Sequence, residues 1–273
     1  MARTKIAQFL YRLPVLVLLF WVLAVLVSLL WNFHPNDIQL QKILVAPNVH
    51  AWLGFDDLGR DVLARLLNGA RVSMLVAMVV TIITMLFGTT LGLISGFYGG
   101  KVDRLIMHIT DVLMAFPGIL LAIALAAVLG AGLGNLMIAL CMTSWVGYAR
   151  LTRAQALSLR NRQHVLAAES LGASVPRLMF KHILPLLAAP LVVEATYSIA
   201  SLMIAEASLS FLGLGIQAPN ASWGAMLRDG VRYMLVAPHY VLAVGLSLMS
   251  LVLAINLLGD QLRDYLDIKV TIK

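Results

Sequence analysis

Long apolar segments dominate the pattern of hydrophobic and polar positions along this chain of 273 residues. A helix of about 20 apolar residues crosses the roughly 30 Å hydrocarbon core of a bilayer. Six segments approach or exceed that length, and they predict helices at about 13–32, 73–98, 105–129, 133–149, 186–211 and 239–258. The pattern therefore predicts an all-α, polytopic membrane protein with six transmembrane helices.

Composition strengthens this prediction. Hydrophobic residues make up 61% of the chain and charged residues 12%, whereas a typical soluble domain has about 45–50% and about 25%. These values exclude a water-soluble globule, a disordered chain, a collagen-like protein and a coiled coil. The single cysteine, Cys141, excludes an intrachain disulfide.

The net charge of +7 comes from basic residues that lie between the apolar segments. This distribution indicates membrane orientation rather than nucleic-acid binding, because cytoplasmic loops are enriched in lysine and arginine. With a cytoplasmic N-terminus, fourteen of the twenty lysines and arginines fall on the cytoplasmic side. We therefore predict that both termini and residues 150–181 are cytoplasmic, with Arg60, Arg65 and Arg71 as a local departure.

Three parts follow from this topology. Residues 1–70 hold a cytoplasmic start, the first helix and a periplasmic segment; residues 71–260 hold the other five helices; residues 261–273 form a cytoplasmic tail. The first apolar segment is too long for a secretory leader and has no small-residue cleavage pattern, so we expect an uncleaved anchor. Trp21 and Trp31 are available for its membrane interfaces. Glycines at 130, 132 and 134 predict a tight hairpin between the third and fourth helices.

No pattern of catalytic residues is present in the sequence. The only Gly-Lys pair, Gly100-Lys101, lacks the spaced glycine and the following Ser or Thr of a P-loop, so we do not expect this chain to hydrolyse ATP. The six histidines are scattered and have no metal-ligand spacing. We therefore predict a non-enzymatic chain without a metal or other cofactor of its own.

Gly88, Gly92 and Gly96 recur every fourth residue within the second predicted helix. This spacing places them on one helix face, where the missing side chains let another backbone approach closely. The partner is either another helix of the same chain or a second membrane subunit, and the sequence leaves both open.

Asp111, Glu194 and Glu206 are acidic residues within or near the predicted spans. Such groups face protein or water rather than lipid. Glu194 and Glu206 are about 18 Å apart along a helix that rises 1.5 Å per residue, so they do not form one carboxylate pair. Each is a candidate for a pathway or gate, and the alternative is a hydrogen-bonded structural acid.

The segment between the fourth and fifth predicted spans has the pattern of two short helices. Residues 164–171 predict the first, and Gly172 suits the left-handed position at its end. Ser174 and Pro176 suit the N-cap and first turn of the second helix, which Leu184-Pro185 is expected to end. We interpret this helix–elbow–helix segment as a docking site for a soluble partner, with a self-packed loop as the alternative. Its exposed apolar residues would be Val165, Leu171, Leu178, Met179 and Phe180.

This segment resembles the "EAA" loop of bacterial ABC importer permeases. The resemblance rests on Ala167, Ala168, Gly172, Leu184 and Pro185. Leu166 stands where that loop usually has glutamate, and His182 where it usually has isoleucine.

Three further segments resemble the dipeptide/oligopeptide/nickel permease family. Residues 53–61 are similar to its LGTDxxGRD signature, residues 206–224 to the segment after its fifth helix, and residues 256–267 to its C-terminal closure. The signature residues before the second helix are Gly54, Asp56, Gly59, Arg60 and Asp61. The resemblance covers roughly residues 50–268.

The resemblance implies a type I ABC importer permease fold and the second of two non-identical permease subunits in a bacterial inner membrane. The implied partners are a homologous permease, two cytoplasmic ABC ATPases that bind ATP and Mg²⁺, and a periplasmic substrate-binding protein. ATP-driven closure of the ATPases would move the elbow and open the central path outward. Peptides are the leading cargo, with nickel chelates, glutathione and glycosides as alternatives.

On the residues alone, six spans also fit a secondary transporter, a channel subunit or a membrane enzyme. Secondary transporters more often show inverted repeats and interrupted helices, which this sequence lacks. A membrane enzyme needs polar groups clustered near one interface, and none is evident. Copurification of ATPase subunits from native membrane would indicate an importer, whereas a lone homodimer would indicate a transporter or channel.

Overall fold

The computed structural model describes residues 2–30, 34–49 and 51–271, and the side chains of 11–30, 34–49 and 51–266. Most of these residues are helical, and none forms a β-strand, as the sequence predicts. The α-helices are α1 (Ala2–Leu30), α2 (Val62–Tyr98), α3 (Gly100–Met114), α4 (Gly118–Leu129), α5 (Leu133–Leu159), α6 (Gln163–Ser170), α7 (Val175–Arg177), α8 (Ala188–Phe211), α9 (Trp223–Val231) and α10 (Pro238–Thr271).

Four helical segments in the described residues are long and apolar enough to cross a membrane. They are Tyr11–Leu30, Val62–Tyr98, Val175–Phe211 and Pro238–Leu266, and α3 with α4 adds a fifth if this bent pair crosses as one span. The predicted fourth span lies in α5, which is long enough at 27 residues but is not among them. Polar residues such as Asn135, Thr143 and Ser144 interrupt its apolar positions. The apolar criterion therefore gives four or five of the six predicted spans.

The single helix predicted at 105–129 is wrong, because the chain forms two helices there. α3 and α4 meet at 86° across a break of residues 115–117. Pro117 has no backbone N–H, and its ring disfavours a helical conformation for Phe116. The chain therefore leaves α3 before the proline and begins α4 after it.

Helical winding continues through Pro185, so the predicted break at Leu184-Pro185 is also wrong. After α7 the chain forms a π-helical turn (Leu178–Ile183), then a 3₁₀ turn (Leu184–Leu187), and then α8. In an α-helix the proline ring would clash with the carbonyl four residues earlier, and that carbonyl would lack its N–H donor. The change from π-helical to 3₁₀ winding moves that carbonyl away from the ring and changes the hydrogen-bond pattern. The sequence locates the proline but does not predict this accommodation.

The hairpin predicted at 130–135 is confirmed. Gly130 and Gly132 have φ values of +87° and +146°, which a residue with a side chain rarely adopts. Asn135 closes the turn by donating from Nδ2 to the carbonyls of Leu129 and Gly130, at 2.7 and 3.1 Å. The connection lets α4 and α5 pack side by side.

The largest buried cluster joins α1, α2, α4, α5, α8, α9 and α10. Trp21 is 5% exposed within this cluster, where its Nε1 donates to Ser250 Oγ at 3.0 Å. Its ring lies edge-on against Trp223, with ring centroids 5.0 Å apart. The interfacial position predicted for Trp21 is therefore wrong, and Trp31 lies outside the described residues.

α10 continues to Thr271, beyond the predicted end of the last span. The described part of the predicted tail at 261–273 therefore extends α10, the helix of the sixth predicted span, instead of forming a separate segment. Hydropathy marks where a helix is apolar, whereas backbone hydrogen bonding continues past that limit.

Candidate functional site

A buried carboxylate closes the turn at residues 53–61, which carries the signature before α2. Asp56 is fully buried, and its Oδ1 accepts hydrogen bonds from the amides of Leu58 and Arg60 at 2.9 and 2.8 Å. Its Oδ2 lies 2.7 Å from Arg60 Nε and 3.2 Å from Arg65 Nε. One aspartate therefore balances two buried arginines.

The other signature residues shape the same turn. Gly54 and Gly59 have φ values of +73° and +69°, and a Cβ on Gly59 would overlap the backbone of Gln39. Asp61 caps α2, because its Oδ1 accepts from the Ala64 amide at 2.9 Å. The signature is thus a structural turn that anchors the segment before α2 to the start of that helix.

This turn explains two of the three arginines that depart from the charge bias, whereas Arg71 is exposed. Arg60 and Arg65 are 5% and 2% exposed and are paired with Asp56, so they are not free surface charges. Asp57 adds a weaker partner, with its Oδ1 3.5 Å from Arg60 Nη2. Burial, followed by the neighbouring Asp56 carboxylate, raises the pKa of Asp57.

The glycine row of α2 packs against α5 of the same chain. A Cβ on Gly88 would lie 2.7 Å from Tyr148 Cβ, one on Gly92 2.7 Å from Thr152 Cβ, and one on Gly96 2.8 Å from Ala156 Cβ. The same positions would overlap backbone carbonyls of α5 at Trp145 and Ala149. Of the two partners that the sequence left open, the structure therefore shows the helix of the same chain.

Two ion pairs join α3 to the C-terminal half of α5. Arg153 binds Asp103 through Nη2 at 2.6 Å and through Nε, and Ser95 of α2 donates to the same carboxylate at 2.5 Å. Arg150 Nη2 donates to Asp111 Oδ1 at 2.7 Å, and both side chains are exposed. Asp111, a predicted intramembrane acid, is therefore an ion-paired residue of α3.

Glu206 is a structural acid in the described chain. It is fully buried, and its two oxygens accept hydrogen bonds from Ser73 Oγ at 2.7 Å and Ser210 Oγ at 2.8 Å. The interpretation of Glu206 as a pathway-lining residue does not fit this burial, whereas the alternative of a hydrogen-bonded acid does. Glu206 thereby ties α8 to α2.

Glu194 has a different environment, although it lies on the same helix. It is half-buried, and its Oε1 lies 3.5 Å from the position that a Cβ on Gly147 would take. One turn further along α8, Ser198 and Ser201 face a cavity of about 360 Å³. Thr143 and Ser144 of α5 line the same cavity. The other lining residues are apolar or glycine, namely Gly118, Ile119, Ala122, Leu140, Leu202, Ile204 and Ala205.

The sequence reasoning missed this groove between α4, α5 and α8, where four hydroxyl residues lie among apolar ones. The available signal was the recurrence of small hydroxyl residues at 143–144 and 198–201, within otherwise apolar spans. Only the packing of α5 against α8 brings the two pairs together.

The inner face of the helix–elbow–helix segment packs on its own chain. Val165, Leu178 and Ile183 are at most 1% exposed and lie in a buried cluster with Leu93 of α2 and Tyr148 of α5. Met179 belongs to the same cluster. The prediction that Val165, Leu178 and Met179 leave apolar surface is therefore wrong, since the bundle covers them.

The outer tip of the segment is exposed. Leu171 is 89% exposed, and Leu166 and Phe180 are also open to the surface. Gly172 has a φ of +83°, and its amide donates to the Glu169 carbonyl at 2.9 Å. The predicted left-handed turn is present.

The remaining motif residues divide between these two faces. Ala167 is exposed, whereas Ala168 packs partly against the buried cluster. Ser174 occupies the predicted N-cap position, but its side chain makes no capping hydrogen bond. Leu184 is half-buried and Pro185 exposed within the 3₁₀ turn.

Comparison with known proteins identifies this arrangement. Residues 88–272 match the family model "Binding-protein-dependent transport system inner membrane component". The chain is similar to the glutathione transport system permease protein GsiD of Pectobacterium atrosepticum, with 41% identity over 97% of this chain and 87% of that protein. It is equally similar to the dipeptide transport system permease protein DppC of Alkalihalophilus pseudofirmus, with 41% identity over 92% and 83%. The nickel transport system permease protein NikC of Escherichia coli is 38% identical over 94% and 93%.

A solved structure shares the fold. The inward-facing methionine ABC transporter MetNI matches with a TM-score of 0.61 and 19% identity, over 73% of this chain and 95% of that one. At that identity the match shows the fold alone. Together with the family match, it establishes that this chain belongs to the inner-membrane components of binding-protein-dependent transport systems, the permease subunits of ABC importers.

Proposed function

We propose that this chain is one of two homologous permeases in a peptide importer, driven by two cytoplasmic ABC ATPases and loaded by a periplasmic binding protein. ATP and Mg²⁺ are bound by the ATPases, and this chain performs no chemical step. The exposed tip at Leu171, on a segment whose inner face is buried against α2 and α5, is the observation that carries the proposal. A tip held in this way transmits a push from a soluble partner to the membrane helices.

Docking at this tip is apolar. Leu166 and Leu171 are exposed where the related loop usually has a glutamate at the first position. Burial of apolar surface at about 25 cal/mol per Å² is sufficient for such a contact without a charge pair.

Peptides are the cargo that the relatives favour. Glutathione and dipeptides, in the names of two relatives that are 41% identical to this chain, are both peptides. A nickel chelate is the second candidate, because the nickel permease is 38% identical. Competition of ATP-dependent dipeptide uptake by glutathione or by a nickel chelate, in cells that express the whole transporter, distinguishes these cargoes.

Replacing Gly172 with valine is expected to reduce uptake about 5–30-fold while leaving membrane insertion intact. No atom lies within 4 Å of a Cβ at this position, so the effect comes from backbone strain at φ +83° and not from a clash. That strain is roughly 1–2 kcal/mol, or about a 5–30-fold loss of the docking conformation. The measurements are substrate uptake and stimulation of ATPase activity by loaded binding protein.

The controls for this variant separate conformation from docking. Gly172→Asn should retain activity, because asparagine tolerates the left-handed region. Ala167→Asp should uncouple by placing a charge on the exposed docking surface, and Leu166→Glu should be tolerated because it restores the usual residue of the related loop. Normal uptake by both Gly172→Val and Ala167→Asp would contradict the coupling role.

We further propose that both termini are cytoplasmic, with residues 150–181 on the same side. Single cysteines at the exposed positions Asn161 and Asn220, in a Cys141→Ala background, should react with impermeant reagents from opposite sides of the membrane. Reaction of both thiols from the periplasmic side would contradict this topology. The uncompensated excess of lysine and arginine on the cytoplasmic side is its physical reason.

A further inference from the structure

Glu194 lies one helical turn from the groove between α4, α5 and α8, on the side of the elbow. Glu194 precedes Ser198 by four residues on α8, and Gly147 follows Thr143 by four residues on α5. Residues four apart share a helix face, and Glu194 Oε1 lies 3.5 Å from the Cβ position of Gly147. The carboxylate does not line the 360 Å³ cavity, but it lies on the same face of α8 as Ser198, which does, one helical turn away.

The negative charge of Glu194 is uncompensated in the described chain. No lysine, arginine or histidine of residues 11–30, 34–49 and 51–266 forms an ion pair with it. Arg150, one turn beyond Gly147 on α5, is paired with Asp111 at 2.7 Å. Since an acid within a membrane span faces protein or water, a half-buried and unpaired acid beside a cavity indicates a water-accessible groove.

The chemistry of the groove selects a cationic group. Hydroxyl oxygens of serine and threonine accept hydrogen bonds from N–H donors, and Thr143 and Ser201 already donate their own hydrogens to backbone carbonyls of their helices. A carboxylate attracts an ammonium group and repels a second carboxylate. The groove thus offers hydroxyl acceptors among apolar side chains, with one negative charge a helical turn away, and no lysine, arginine or histidine lines it.

We propose that Glu194, with Thr143, Ser144 and Ser198, forms a transit site for the protonated amino group of a peptide. This inference rests on the proposed function and refines it to cargo with a cationic end. The site favours short peptides with a free amino terminus and disfavours cargo whose passing end is anionic. One carboxylate with weak hydroxyl acceptors also permits release, which transport requires.

Charge-selective labelling tests the site without reference to the natural cargo. The probe is a thiol introduced by Ser198→Cys in a Cys141→Ala background, in membranes that contain the assembled transporter. A cationic methanethiosulfonate should react about tenfold faster than an anionic one of similar size, as expected for one nearby charge in a partly hydrated groove. Adding Glu194→Gln should bring the two rates close to equality.

Two labelling results would overturn the proposal. If neither reagent modifies the introduced thiol, the groove is not open to water. If the ratio of rates is the same with glutamate and glutamine at position 194, Glu194 does not set the charge preference. Asp37→Asn, which removes an exposed acid before α2, is the matched control and should leave the ratio unchanged.

Uptake separates this proposal from the peptide-import proposal. Wild-type transporter should import dialanine, and Glu194→Gln should reduce that uptake about tenfold while loaded binding protein still stimulates ATPase activity. Glu194→Asp should retain most of the uptake because it keeps the charge. If wild type does not import dialanine, peptide import fails and the labelling ratio still tests the cation site. If wild type imports dialanine and Glu194→Gln is unaffected, only the cation site fails.

Discussion

Replacing Gly92 with leucine is expected to prevent the chain from forming a stable helical bundle. Gly92 lies in the middle of the glycine row of α2, and a Cβ there would overlap the carbonyl of Ala149 and lie 2.7 Å from Thr152 Cβ. Both neighbours belong to the rigid helix α5. The side chain would force the two helices apart along the face where their contact is most extensive.

The expected loss in the free energy of unfolding exceeds the 1–3 kcal/mol typical of overpacking, because backbone atoms and not a flexible side chain must move. The thermal midpoint and the monodisperse fraction of the purified complex in detergent measure it. Gly92→Ala should show a smaller loss in the same direction. Gly245→Leu in α10 is the matched control, since its nearest neighbouring atom lies 4.0 Å from a Cβ. Equal thermal midpoints for Gly92→Leu and wild type would show that α2 and α5 do not need this contact.

Replacing Asp56 with alanine is expected to unfold the segment before α2. Arg60 and Arg65 would then be buried without a counter-charge, and the Leu58 and Arg60 amides would lose their acceptor. Removing one partner from a buried ion pair typically costs about 3–5 kcal/mol. The thermal midpoint and protease sensitivity of residues 34–61 measure the loss.

Charge and shape can be separated at this site. Asp56→Asn keeps the size of the side chain but turns a donor toward one of the arginines, so its loss should approach that of Asp56→Ala. Asp57→Ala is the matched control. The Asp57 carboxylate makes the weaker contact, 3.5 Å from Arg60 Nη2, and it is partly exposed. If Asp57→Ala lowers the thermal midpoint as much as Asp56→Ala, the stability comes from the total negative charge of the turn and not from the specific contacts of Asp56.

The contrast between Glu194 and Glu206 shows where sequence reasoning ends at the candidate site. Both are acids within the same apolar segment, and hydropathy treats them alike. Glu206 is surrounded by hydroxyls from α2 and α8, whereas Glu194 lies beside a glycine and an open groove. The partners of each acid come from residues distant in sequence, so only packing separates the structural acid from the candidate transit residue.

The elbow shows the same division between local and tertiary information. The left-handed Gly172 follows from local backbone preference and was predictable. The burial of Val165 and Leu178 depends on Leu93 and Tyr148, which are distant in sequence, so their apolar character was read as exposed surface. The winding through Pro185 was also missed, because a π-helical turn has no distinctive sequence pattern.

The sequence by itself determined that this protein is an all-α membrane chain, where the turns at residues 130–135 and at Gly172 lie, and which family motifs it carries. Apolar segment length, glycine and proline positions and charge bias are local properties, and a bilayer imposes them strongly because it cannot satisfy exposed backbone groups. Tertiary structure decided the partner of the glycine row, the pairing of Asp56 with two arginines and the unpaired state of Glu194. These features depend on which helix faces meet, and within a bilayer close packing and polar contacts, more than hydropathy, select those faces.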